Sequence, residues 1–125
     1  MAAAATPVRQ RNARGEGDRL RIDLLEAAAD LMAEHGSVDG ISLRAVARRA
    51  GVSATAVYRH FDDHTTLLQE SVRHCWKSFL DVLIEARDGG ADAFDSFDRA
   101  GLAYADFALA HPGQYRVMFS NRIEI

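Results

Sequence analysis

The stretch SLRAVARRAGVSATAVYRHF, Ser42 to Phe61, decides how the whole chain is read. Two short helical patterns flank a tight turn at Gly51-Val52-Ser53. In the first, Leu43, Val46, Ala47 and Ala50 recur at the spacing of a helix face. Ser42 precedes it, and a serine hydroxyl there accepts a hydrogen bond from a first-turn amide. Gly51 ends it, because glycine enters the left-handed region without steric cost. Ser53 is placed to cap the second helix, where Ala56, Val57 and Phe61 are the inward residues. Ala54, Thr55, Tyr58, Arg59 and His60 are left for the other surfaces. Helix, glycine turn and helix make a helix-turn-helix, a motif whose second helix enters the DNA major groove. Plain helical hairpins share that outline, so the motif by itself leaves both readings open.

Working outward, a preceding helix is expected over 18–35. Ile22, Leu25, Ala29 and Met32 share one face, broadened by Leu24, Ala28 and Leu31. Asp18 suits the positive end of its dipole and His35 the negative end, and Gly36 is placed to terminate it. Val38 and Ile41, in the connecting loop, are expected to plug the small core. Upstream, residues 1–17 read as a flexible basic arm carrying Pro7, Gly15 and Gly17. Its Arg9, Arg11 and Arg14 suit phosphates or a minor groove, or else a solvated tail.

Downstream of the hairpin, Asp63 is the expected N-cap of a long helix from Thr65 toward Arg87, on the order of 35 Å in length. Leu68, Val72, Cys75, Phe79 and Val82 or Leu83 form its seam, which Leu67, Trp76, Leu80 and Ile84 widen. Asp88-Gly89-Gly90 breaks it. A further helix is expected over 92–110, with Phe94, Phe97, Gly101, Tyr104 and Ala108 on one face and Leu102 and Phe107 extending it. His111-Pro112-Gly113 stops that helix, and an apolar, helical segment restarts over 114–119 with Tyr115, Met118 and Phe119. The fold class is therefore all-α: a three-helix helix-turn-helix domain over 18–64, then a long connecting helix that opens a second helical unit over 65–125.

The net charge of −3 argues against a globally basic nucleic-acid binder, but the distribution does not. Residues 1–61 hold nine Arg against seven acidic side chains, while 62–125 hold six basic against eleven acidic. Positive charge thus lies with the helix-turn-helix, and the acidic remainder is discouraged from approaching phosphate. No apolar run is long enough to span a bilayer, and no h-region marks a signal peptide. The single Cys75 cannot form an intramolecular disulfide and fits a reducing cytoplasm.

A DNA-reading surface needs donors for phosphate and short side chains or forks for base edges. Thr55 offers a hydroxyl and a methyl to a base edge, and Ala54 a methyl alone. Arg44 is placed to reach either a base or a phosphate. Helix N-termini at Ser42 and Ser53 present amides to phosphate. The Tyr58 hydroxyl is a phosphate donor, unless its ring merely caps the core, and His60 suits the same task. Arg48 and Arg49 read as solvated helix charges. His60 and His64 have the four-residue spacing of a metal pair, but Asp62-Asp63 interrupts the helix between them and no metal site is expected. No Gly-rich phosphate loop, nucleophile elbow or metalloprotease motif is present, so neither an enzyme nor a cofactor is expected. Trp76, Phe79, Phe97, Tyr104 and Phe119 are candidates for lining an apolar pocket, although such stripes more commonly build core.

The run AVARRAGVSATAVYRHFDDHTTLL, residues 45–68, resembles the signature of the tetracycline-repressor (TetR) family of bacterial transcription regulators. Val46-Ala47, Ala50-Gly51-Val52-Ser53, Val57-Tyr58, His60-Phe61 and Leu67-Leu68 carry the match, which with the preceding helix covers about half the chain. The resemblance implies a homodimer that binds a palindromic double-stranded DNA operator through the helix at 53–60. It implies Tyr58 as a backbone contact and the early residues of that helix as base readers. It also implies a lysine opening the long helix, where this chain has His64. An imidazole, unlike an ammonium, is mostly uncharged at neutral pH, so that phosphate contact becomes weaker or pH-dependent. The segment YADFALAHPGQYRVMFSN, residues 104–121, resembles the effector-binding region of one TetR subgroup, which implies a small apolar or amphipathic effector. Family members are longer, so 65–125 reads as an incomplete ligand-binding and dimerisation domain. The expected function is a ligand-responsive, cytoplasmic and nucleoid-associated repressor with no membrane partner. The alternative is a helical protein-interaction module that does not bind DNA.

Overall fold

A computed structural model describes residues 17–120. Within it the order is α1 (Gly17–His35), α2 (Leu43–Ala50), α3 (Ala54–His60), α4 (His64–Asp88), α5 (Ala93–Ala110) and α6 (Pro112–Met118). The described residues contain no strand. The expected arm, with Arg9, Arg11 and Arg14, lies outside them except for Gly17, which is already the first residue of α1. No described helix is long and apolar enough to cross a membrane.

Local chemistry sets the helix ends. The hydroxyls of Ser42 and Ser53 accept from the amides of Ala45 and Ala56 at 3.0 and 3.2 Å, and Asp63 Oδ1 accepts from Thr66 N at 2.7 Å. Asp92 does the same for Asp95 N at 2.8 Å. Each side chain satisfies a donor that the helix itself cannot. Gly51 takes φ 74°, ψ 32°, and its amide returns to the carbonyls of Ala47 and Arg48. That left-handed residue lets α3 leave α2 within three residues, which is how the hairpin closes. Pro112 opens α6 at a position whose amide would be unpaired anyway. The helix therefore begins two residues before the expected restart at 114.

The main core joins Leu24, Ala28, Leu31 and Met32 of α1 to Val38, Ile41, Val46, Val57, Phe61, Leu67, Leu68 and Val72. It thus unites the three short helices with the first turns of α4, as α1 alone is too narrow to cover them. Val117 of α6 enters this same core. A second, smaller core of Cys75, Phe79, Phe107 and Met118 ties α4, α5 and α6 together. α6 lies close on α1: a Cβ on Gly113 would stand 2.0 Å from the Ala33 carbonyl oxygen. Only a residue without a side chain fits at that crossing.

Three expected faces need correction. On α1, Ile22 is 46% exposed, and the buried stripe is Leu24, Ala27, Ala28, Leu31 and Met32. The helix is turned toward its broadening residues because α2, α4 and α6 all approach from that side. On α4 the seam is buried as far as Phe79 and continues at Leu83, which packs against the second core, whereas Leu80, Val82 and Ile84 are exposed; beyond Phe79 the main neighbour is α5. On α5, Phe94 and Phe97 are 86% and 77% exposed and Leu102 also faces outward. The partly covered residues are instead Ser96, Ala100 and Ala103, in line with buried Phe107. Small side chains on that stripe let α5 approach α4 closely, and the large aromatics are left outside.

Candidate nucleic-acid interface

The second hairpin helix, α3, divides as its sequence suggests. Val57 and Phe61 are fully buried in the main core. Thr55, Tyr58 and Arg59 are exposed, with Tyr58 at 55%, and Ala54, Ala56 and His60 are partly covered. Two buried anchors, four residues apart, fix the helix by its inner side, so the opposite side is presented on a rigid frame. Ser42 and Arg44 are exposed at the start of α2, and Ser53 at the start of α3. Both serine hydroxyls are used as caps, which leaves their helices' earliest amides as the donors aimed outward. Tyr58 does not cap the core; its ring stands in solvent.

Arginines sort into distinct roles. Arg44, Arg48 and Arg59 remain exposed, while Arg49 pairs with Glu34 of α1. Arg49 thus holds α2 against α1 and is less available to phosphate than Arg48. Arg21 is drawn into the domain, a placement the sequence reading missed.

His64 opens α4, and its Nε2 contacts the Ile41 carbonyl oxygen. A carbonyl only accepts, so Nε2 carries the proton. In the neutral ring Nδ1 is then an acceptor and has nothing to offer a phosphate oxygen. Only the doubly protonated imidazole would hold Ile41 and donate to DNA together. His60 and His64 sit on different helices.

Asp63 is exposed, and bonds from the Thr66 amide and hydroxyl hold its carboxyl below the usual value. Its negative charge sits at the positive end of α4.

In the second half, four of the five expected pocket residues come together. Trp76 meets Phe79 and Phe119 at ring-centroid distances of 5.8 and 4.9 Å, and Phe79 meets Tyr104 at 5.3 Å. Phe97 does not join them, since it lies on the outer side of α5. Phe107 and Tyr115 join instead, at 4.8 Å from Phe79 and 5.9 Å from Tyr104. The Tyr104 and Tyr115 hydroxyls are hydrogen-bonded at 2.7 Å, and this bond raises the Tyr104 pKa. Cys75 lies beneath the cluster, its thiol pushed up to about 11 by burial. It is therefore an inert thiol at neutral pH. The indole Nε1 of Trp76 is buried without a hydrogen-bond partner among the described residues.

Residues 24–70 match the model of the family described as bacterial regulatory proteins, tetR family. That span holds most of α1, the complete hairpin and the first turns of α4. The fold is similar to that of a TetR family transcription regulator from Marinobacter aquaeolei VT8, with a TM-score of 0.73 and 24% identity. The likeness covers 85% of this chain and 55% of that one, so the chain spans about half the length of that regulator. Residues 24–70 are thus similar to the tetR family of bacterial regulatory proteins, and the fold around them is similar to that of a TetR family regulator.

Proposed function

We propose that the chain is the DNA-reading part of a transcription regulator, a ligand-responsive repressor acting as a dimer on a palindromic operator. The observation that carries this is the division of α3, with Val57 and Phe61 locked inside and Thr55, Tyr58 and Arg59 held out. In the proposed complex Ala54 and Thr55 read base edges. Arg44, Tyr58 and the first amides of α2 and α3 hold phosphates, with His60 at the rim. His64 adds a contact only when protonated. The dimer is supported by the apolar side chains left exposed on α4 and α5, among them Val82, Ile84, Phe94 and Phe97, which a second copy or further chain would cover. The effector is a small apolar or amphipathic molecule bound among Trp76, Phe79, Tyr104 and Phe119. It acts by shifting α4, whose first turns share a core with α3. A change in the separation of two reading helices forfeits contacts in both grooves at once.

Tyr58→Phe tests the interface at one atom. Loss of a single hydroxyl-to-phosphate bond should weaken duplex binding by about 1 kcal/mol, roughly fivefold, with far-UV dichroism unchanged. Unchanged affinity would remove that hydroxyl from the interface. A salt titration separates the regulator from a protein-interaction module: DNA affinity falls steeply with salt, and the module shows no duplex binding even at low salt.

A further inference from the structure

We infer that Arg21 is the positioning residue that sets the pose of the reading helix, and that Glu70 aims it. The inference rests on the DNA-binding reading above, and concerns a residue outside the 24–70 family match. Arg21 Nη1 donates to the His60 carbonyl at 2.8 Å. Its other terminal nitrogen pairs with Glu70 Oε2 on α4. The guanidinium carbon lies 4.4 Å from the centroid of the Phe61 ring. One planar group thus joins α1, the last carbonyl of α3, the residue that caps α3, and the second turn of α4.

The reading helix needs such a tie. It has seven residues, and helices so short are marginal without outside support. It packs chiefly on α2, and its N-terminal end is fixed by Ser53. At its C-terminal end the carbonyls carry the negative end of the dipole and lack intrahelical partners. Arg21 supplies a cation and a donor there, and its fixed fork allows the second arm to be held by Glu70 while the face rests on Phe61. Base readers tolerate errors of only about 0.5 Å and 10–20°, so a tail free to tilt degrades base contacts more than phosphate contacts. Arg21 does not touch DNA in this account; it acts through His60 and Phe61.

The test uses the duplex that the unsubstituted chain enriches from a random-sequence pool, with a scrambled duplex of equal composition as reference. Arg21→Lys keeps the charge but not the fork, and Glu70→Ala removes the aiming carboxylate. Each should weaken binding to the enriched duplex about tenfold and leave the scrambled duplex and the salt slope within about twofold. The double variant should be no weaker than either single one, since both break the same link. Affinities are taken well below each variant's melting temperature. A merely structural role would lower that temperature and leave the ratio of enriched to scrambled affinity unmoved. An unmoved ratio in both variants overturns the inference, as do effects that multiply in the double variant. If the unsubstituted chain enriches no duplex, the DNA-binding reading itself fails, and the inference with it; the first measurement in the series separates that outcome from the others.

Discussion

Thr55→Asp is expected to weaken duplex binding at least about hundredfold, close to 3 kcal/mol, while the helices stay as stable as before or gain slightly. The two signs differ because one carboxylate meets two environments. Inside the protein it would sit in the first turn of α3, after the Ser53 cap, where a negative charge is stabilised by about 0.3–1 kcal/mol. Against a duplex the same charge would face phosphates and base acceptors, with no donor of its own to offer. Thr55 is exposed, so the substitution removes no buried side chain. Fluorescence anisotropy titrations with a melting curve on the same sample check both signs. Retained affinity with unchanged melting would mean that the outer side of α3 does not meet DNA.

Phe61→Ala should have the opposite character, with a loss of stability from which loss of binding follows. Phe61 is 1% exposed, caps α3 by donating its backbone N–H to the Val57 carbonyl at 3.0 Å, and carries the Arg21 guanidinium on its ring. Truncating a buried phenylalanine costs about 3–5 kcal/mol, against a total of about 5–15 kcal/mol for a typical domain. Urea unfolding should show a midpoint lowered by about a fifth of its value or more. Phe97→Ala is the matched control: at 77% exposure it should stay within about 0.5 kcal/mol at concentrations low enough that the chain is monomeric. Equal effects at the two positions would contradict the assignment of inner and outer faces.

These contrasts mark where the sequence was legible. Ends of helices were readable because capping is local: Ser42, Ser53 and Asp63 each bond an amide three residues on. The inner side of α3 was equally plain, since Val57 and Phe61 were the large apolar residues at helical spacing within a short element. Faces of the longer helices were harder. On α5 the aromatic stripe through Phe94 and Phe97 suggested a buried side, but close approach to α4 favours Ser96, Ala100 and Ala103. Periodicity reports a stripe of large apolar residues; it does not report which stripe a neighbour can approach. Long-range polar links were invisible for a different reason. The partners of Arg21 lie 39 and 49 residues away, and no local pattern encodes them. Gly113 was read as part of a stop, and the stop was real. Its second task, admitting the Ala33 carbonyl, depends on α6 folding back on α1.

The account stands on one surface, the outer side of α3 and the opening of α2. Mapping backbone amide shifts in an isotopically labelled chain, on titration with the enriched duplex, addresses it without any substitution. The largest changes are expected over 42–44 and 53–60, with the amides of Leu24, Phe79 and Phe107 nearly still. Shifts confined to α5 and α6, with 53–60 unmoved under saturating duplex, would contradict it.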